Sequence, residues 1–186
     1  MHDLSNLRVN RTISIVGVMG SGKSTVGSRL ARAMDMPFFD SDQEVEKAAG
    51  GYTVSDIYEL WGAERFRDAE YEVIARLLRT EPVHVLSTGE GAFVEEKTRN
   101  LLRENTITVW LKSDIDVLFS RVKHKTRPQL VGEGVNTEEV LRRLVAERYP
   151  IYQMADICVE SNDEFYQDVV TRILIGLRDF LSLSFA

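Results

Sequence analysis

Residues 17–25 read Gly17-Val18-Met19-Gly20-Ser21-Gly22-Lys23-Ser24-Thr25, and this stretch decides the fold. It fits the pattern G-x-x-x-x-G-K-[ST] at every position. Before it, residues 13–17 form an apolar, β-branched run. After it, Val26, Leu30, Ala31 and Met34 recur at helical spacing through residues 24–34. A glycine-rich turn between strand and helix lets successive backbone N–H groups curl around phosphate oxygens, with the positive helix end behind them. Gly20, Ser21, Gly22, Lys23, Ser24 and Thr25 are therefore the candidate ATP-binding residues. Lys23 is placed to reach the β- and γ-phosphates. The Ser24 hydroxyl suits Mg²⁺, which takes oxygen ligands and keeps several waters. A chance glycine-rich turn is the plain alternative, and Lys-Ser-Thr at this place between strand and helix argues against it. The motif identifies a nucleotide site and leaves the reaction open.

Working outward, strand-like and helix-like segments alternate. Short strands are expected at 37–39, 83–87, 106–111 and 157–159. Helices are expected at 41–48, with Ser41 as N-cap and Glu44 at the capping-box position, and at 54–61 and 63–78, broken near Gly62. Further helices are expected at 95–103, 115–122, 137–148 (stopped before Pro150) and 164–181. Such alternation predicts an α/β fold with a parallel sheet covered on both faces, its ligands bound outside the carboxyl ends of the strands.

The chain has 186 residues, 44% of them hydrophobic and 28% charged, enough for one domain spanning 1–186 with a proper core. A net charge of −6 makes it a poor default binder of nucleic acid. A single cysteine and three scattered histidines exclude a disulfide framework or zinc cluster. Cys158 reads as a small buried residue. The start lacks the apolar core of a signal peptide, and no apolar run is long enough to span a membrane. A soluble, cytoplasmic protein is expected.

The second strand ends in Phe38-Phe39-Asp40-Ser41-Asp42. Residues i and i+2 of an extended chain point the same way, so Asp40 and Asp42 are expected to face the crevice beside the phosphate loop. Asp40 then suits the Mg²⁺ shell, and Asp42 suits an acceptor hydroxyl whose proton it would take. Helix capping is the alternative for either. The third strand runs into Ser87-Thr88-Gly89-Glu90-Gly91-Ala92-Phe93. Two glycines there point to close approach, and a carboxylate sits between them.

Arg67 has Glu64 and Glu70 three residues away, which reads either as a surface ion pair or as half of a carboxylate clamp completed by Arg148. Arg148 alone reads as a cation at a helix C-terminus. Residues 121–128, "RVKHKTRP", form a cationic run expected to belong to a lid over about 122–136. Arg127 would neutralise charge on the transferred group, and Arg121 is placed to stack on a purine.

Taken in order, "GVMGSGKST", "FFDSDxxxE", "GxxxFRxxE" from Gly62 to Glu70, "STGxG", "TRP" and "ERxPxY" with "AD" following resemble the shikimate kinase family over roughly residues 12–180. The resemblance implies the three-layer nucleoside-monophosphate-kinase version of the P-loop fold. Its parallel sheet has five strands in the order 2-3-1-4-5, with a substrate-binding region at about 41–80 and a lid. It implies ATP-dependent phosphorylation of the 3-hydroxyl of shikimate, with Mg²⁺, by a monomer. It implies that Asp42 binds the shikimate hydroxyls, that Arg67, Arg148 and the turn Gly89-Glu90-Gly91 meet its carboxylate, and that Lys23 and Arg127 serve the phosphates. Ser24 and Asp40 serve the metal, and residues 161–164 flank adenine.

The chain departs from the family pattern in three places. Glu90 replaces the middle glycine of Gly-Gly-Gly, Gln129 follows Arg127-Pro128 where leucine is usual, and the step from Arg121 to Arg127 is one residue short. Glu90 is expected to turn outward or to pair with Arg67 or Arg148, at some cost in substrate affinity. The rivals are a kinase of another small acceptor such as gluconate, and a catalytically silent ATP-binding module. An adenylate-kinase-like G-K-G-T, a Leu-His after the paired aspartates and a guanine-specifying Asn-Lys-x-Asp are all missing.

Overall fold

The computed structural model describes residues 7–122, 136–162 and 164–183. In chain order the elements are β1 (Thr12–Val16), α1 (Lys23–Ala33), β2 (Phe38–Asp40), α2 (Ser41–Ala48), α3 (Val54–Thr80) and β3 (Val85–Ser87). They continue with α4 (Glu96–Asn105), β4 (Thr106–Lys112), α5 (Ile115–Val122), α6 (Thr137–Tyr152), β5 (Ile157–Glu160) and α7 (Tyr166–Leu183). All four strand pairings are parallel, and the sheet order is β2-β3-β1-β4-β5, as the resemblance implies.

Register explains where a site must lie. Ile15 and Asp40 both pair with Ser87, and Val16 pairs with Trp110, so the carboxyl ends of β2, β3 and β1 stand side by side. The segments leaving those three ends carry residues 17–25, Asp42 at the start of α2 and the turn after Ser87.

Each face of the sheet is covered by its own set of helices. Ile13, Ile15, Val85, Ile107, Val109 and Leu111 pack with Val26, Leu30 and Ala31 of α1 and Val169, Ile173 and Leu177 of α7. On the opposite face, Val16, Leu86 and Trp110 pack with Phe66, Ile74 and Leu77 of α3, Leu102 of α4, Leu118 of α5 and Tyr152 of α6. Polar strand residues are satisfied within the sheet region. Ser14 Oγ lies 2.7 Å from Thr106 Oγ1, and Asp156 accepts from Thr108 N and Oγ1 at 2.8 and 2.7 Å. Among the described residues no helix is long and apolar enough to cross a membrane.

Four local expectations are corrected. Asp40, not Ser41, caps α2: its Oδ1 accepts from Asp42 N at 3.1 Å. Ser41 is drawn away because its Oγ accepts from Gly89 N at 2.8 Å, and Glu44 pairs with Lys47 and Arg76 instead of closing a box. Helix α6 does not stop before Pro150 but runs through it to Tyr152. Proline costs about 3 kcal/mol inside a helix. The extra turn fully buries Tyr152, which stacks with Phe93 and Trp110 at 6.0 Å, while Tyr149 meets Trp110 edge-on at 5.0 Å. Burying large side chains contributes about 1.5–3 kcal/mol each, which offsets the proline.

Cys158 is exposed, because β5 is an edge strand with alternate residues outward. Strand β3 begins at Val85 rather than Val83. The helical break is where it was expected: Gly62 has φ 81° and ψ 168° inside α3.

Candidate functional site

The phosphate loop leaves β1 and enters α1 through Gly22, whose φ of 92° is left-handed and open to few residues other than glycine. The first turn of α1 begins at Lys23, so free backbone N–H groups face the loop. Lys23 Nζ donates to Gly17 O and Val18 O at 2.9 and 3.1 Å, which folds the ammonium over the loop. Ser24 Oγ donates to Asp40 Oδ2 at 2.6 Å and lies 3.3 Å from Ser87 Oγ. Asp40 is thus divided, one oxygen capping α2 and the other facing Ser24.

A cleft of about 380 Å³ runs past these groups, and Lys23, Ser24, Asp40, Asp42, Glu90 and Arg121 line it. Both aspartates therefore reach the crevice. Their route differs from the extended pair expected, since Asp42 arrives on the first turn of α2. Among the described residues no cluster of three His, Cys, Asp or Glu side chains is placed to hold a metal. One hydroxyl and one carboxylate nevertheless form the donor set that suits Mg²⁺, a cation that fills its shell with water and substrate phosphate.

Arg121 donates to Gly20 O at 3.3 Å, to Ser161 O at 3.1 Å and to Asn162 O. Ser161 Oγ in turn donates to Ser21 O at 3.0 Å, so the loop after β5 is tied to the phosphate loop. Tyr166 lines the same end of the cleft, with Arg29 4.9 Å above its ring. Sequence reading missed Tyr166, since a tyrosine opening an amphipathic helix carries no local mark of a site.

At the other end of the cleft the turn after β3 explains its own glycines. A Cβ on Gly89 would stand 2.1 Å from Glu70 Oε1 and 2.7 Å from Asp42 Oδ1. A Cβ on Gly91 would stand 2.2 Å from Arg67 Nη2. Neither position tolerates a side chain while these charged groups keep their places. Asp35 is the one non-glycine among the described residues with positive φ, so Glu90 carries no backbone strain.

The Glu90 side chain turns inward and takes Arg148 as partner, Oε1 lying 3.5 Å from Nη1. The Glu90 carbonyl accepts from Tyr152 Oη and, at 3.5 Å, from Arg148 Nη1. Burial pushes the Tyr152 hydroxyl pKa up, which keeps it a neutral donor. Arg148 is thus no helix-end cation: α6 continues past it and holds it toward the turn.

Arg67 is no surface ion pair either. Its Nη1 donates to Glu70 Oε2 at 2.6 Å, and the Glu70 side chain is fully buried. Glu70 shares the apolar face of α3 with Phe66, Val73, Ile74 and Leu77, a register readable from spacing once Arg67 is set aside. The Glu70 carboxyl is pushed up to about 7, first by burial and also by Asp42 and Glu90, against the pull of Arg67. For Arg67, burial is the largest influence and opposes the charge, but Glu70, Tyr58 and Glu90 together raise the guanidinium. The pair therefore keeps Arg67 charged, and Glu70 is the member that exchanges a proton. Its Oε1 is buried without a hydrogen-bond partner.

The structure thus gathers Gly20, Gly22 to Thr25, Asp40, Asp42 and Arg121 on one cleft, while the Ser21 side chain is fully buried and does not line it; Arg67, Arg148, Gly89 and Gly91 are grouped together through Glu70 and Glu90. Arg127, and nearly all of the lid expected at about 122–136, lie outside the described residues.

Comparison with known proteins bears on this constellation. A family model described as shikimate kinase matches residues 19–178. A shikimate kinase from Caulobacter vibrioides is 48% identical over 176 residues, covering 95% of this chain and 86% of the relative. The structure of a shikimate kinase from Acinetobacter baumannii in complex with shikimate superposes with a TM-score of 0.82 at 35% identity, covering 92% of this chain and 93% of that one. A gluconokinase from Sinorhizobium meliloti superposes less well, with a TM-score of 0.62 at 26% identity, covering 96% and 98%.

Proposed function

The chain belongs to the shikimate kinase family, and from that premise we propose which of its residues carry the phosphorylation of shikimate. It is an enzyme of the shikimate pathway that transfers the γ-phosphoryl group of ATP to the acceptor's 3-hydroxyl, giving shikimate 3-phosphate and ADP. The observation that carries the assignment of roles is that Asp42 lines the same cleft as Lys23, Ser24 and Asp40. A base and a phosphate cradle on one cleft are the minimum for in-line transfer to a hydroxyl.

In this reading the backbone N–H groups of residues 20–25 and the Lys23 ammonium hold the β- and γ-phosphates. Ser24 and Asp40 hold Mg²⁺, which when bound offsets charge on the phosphate oxygens. Asp42 orients the acceptor hydroxyl and takes its proton as the new P–O bond forms and the bond to ADP breaks. Glu70 is not placed for that task, because it is fully buried with one oxygen on Arg67 and does not line the cleft. Arg67 and Arg148 hold the acceptor carboxylate bidentately or from two sides. Arg121 keeps the loop after β5 against the phosphate loop and so shapes the adenine end. Arg127 is assigned to the transferred phosphoryl group from the sequence resemblance.

The test is ADP release at defined Mg²⁺ with shikimate, gluconate or a nucleoside monophosphate as acceptor. Shikimate-dependent release is expected. Turnover with either of the other acceptors and none with shikimate would overturn the reading. ATP hydrolysis or binding that no acceptor changes would point to a silent module.

A further inference from the structure

Glu90 is the one charged side chain on the turn between Ser87 and Phe93. It is only 13% exposed, yet it is poorly satisfied. Oε1 meets Arg148 at 3.5 Å, a long ion pair, and Oε2 is buried with no hydrogen-bond partner. No left-handed backbone is needed at this position, since Asp35 is the one non-glycine with positive φ among the described residues. The carboxylate sits inside beside a cation, with one of its two oxygens buried and unpaired.

Charge decides what happens when a second carboxylate arrives. Asp42, Glu70 and Glu90 already face Arg67 and Arg148 in one cluster of mutual influence. An acceptor carboxylate would make four acids against two arginines. Asp42 and Glu90 both line the open cleft, but Asp42 is carried on α2 and Glu70 on α3, whereas Glu90 sits on a turn, so it is the member that can give way.

We propose that Glu90 is a specificity-determining residue: a resident carboxylate that fills the Arg148 side of the clamp and that the acceptor's own carboxylate must displace. The proposal rests on the acceptor role assigned to Arg148 above. Acceptor binding is then an exchange of one carboxylate for another, which weakens affinity for shikimate. It also narrows the margin between a carboxylate acceptor and a neutral one, because Arg148 keeps an internal counter-charge when the acceptor brings none.

Calorimetric titration of shikimate and of its methyl ester into the full chain, Glu90→Gln and Glu90→Gly tests this. Glu90→Gln keeps the shape and removes the charge. Both variants are expected to bind shikimate about tenfold more tightly, while the ester changes less than about twofold. The acid-to-ester preference rises accordingly, a readout that a merely structural role would not move. Shikimate affinity unchanged or lowered in both variants, or ester affinity raised as much as shikimate affinity, would overturn the inference and leave the kinase assignment intact. Failure of all three proteins to bind shikimate while binding ATP would overturn the acceptor reading as well.

Discussion

The two ends of the cleft are built in opposite ways. The phosphate end is one contiguous stretch, residues 17–25, whose donors are backbone N–H groups and one lysine that folds back on its own loop. The acceptor end draws on β3, α2, α3 and α6, and nearly every functional group in it is a charge already committed to another charge. The first end is preorganised for one kind of ligand, since backbone dipoles cost nothing further to orient. The second holds its cations in ion pairs, which on the proposed roles a ligand would have to reopen. Substitutions should therefore act differently at the two ends, and the seam between them should be most sensitive of all.

Asp42 lies on that seam. Asp42→Asn is expected to cut kcat by about 10²–10⁴, the usual contribution of a positioned base, with ATP affinity little changed. Steady-state kinetics against ATP and against shikimate check both halves. An unchanged kcat would mean that Asp42 only helps to shape the turn at Gly89 and that the seam carries no chemistry.

Arg148→Ala falls wholly on the acceptor side. It removes half of the proposed clamp and leaves Glu90 without its cation, and truncating one member of a buried charge pair costs about 2–5 kcal/mol. A shikimate KM raised roughly hundredfold is expected, with the ATP KM within about threefold. Equal losses in both constants would erase the division between the ends.

The sequence makes the two ends unequally legible for the same reason. Strand, loop and helix around residues 17–25 are consecutive, so spacing alone gave the phosphate site, and the alternating pattern gave a parallel sheet. Ser24 and Asp40, proposed for the metal from one further strand end, meet at 2.6 Å. Glu70 was hidden because Arg67, Glu64 and Asp68 make its neighbourhood look like a solvated helix face, although its register with Phe66 and Ile74 is that of a core residue. Tyr152 was hidden because Pro150 reads as a helix stop, and only the packing of Phe93 and Trp110 reveals why the helix continues. Ser41 left its expected cap for Gly89, a partner 48 residues away that no local pattern announces.

Gly91→Ala perturbs the acceptor end without changing any charge. The new methyl would stand 2.2 Å from Arg67 Nη2 and 2.5 Å from Cζ. A long side chain normally swings away at little cost. Here Glu70 holds Nη1 at 2.6 Å and the Phe66 ring lies 5.1 Å from Cζ, so Arg67 has little room to yield. Overpacking of this kind costs about 1–3 kcal/mol. A shikimate KM raised about tenfold is expected, with ATP affinity unaffected. A normal shikimate KM would show that Arg67 relocates freely and that its pairing with Glu70 does not define the site.

The smallest expected effect concerns protons, and it too belongs to the acceptor end alone. Glu70 has a carboxyl pushed up to about 7 from 4.5, first by burial and then by Asp42 and Glu90, against the pull of Arg67. Below pH 7 the buried carboxyl holds its proton and the cluster carries one negative charge fewer. Above pH 7 it is ionised, and an anionic acceptor meets a more negative wall. Shikimate affinity in nucleotide-free protein should therefore fall a few-fold as pH rises from 6 to 8, while shikimate itself stays ionised throughout. Reciprocally, binding shikimate should draw protons onto Glu70, visible as a buffer-dependent binding enthalpy near pH 7. Folding stability shares the sign: because the folded pKa is raised, the contribution of Glu70 is fully present below about 4.5 and is lost as pH climbs through about 7. Glu70→Gln should flatten both profiles. A binding profile that keeps its slope in Glu70→Gln would move the proton to another group and break the link between the buried ion pair and acceptor affinity.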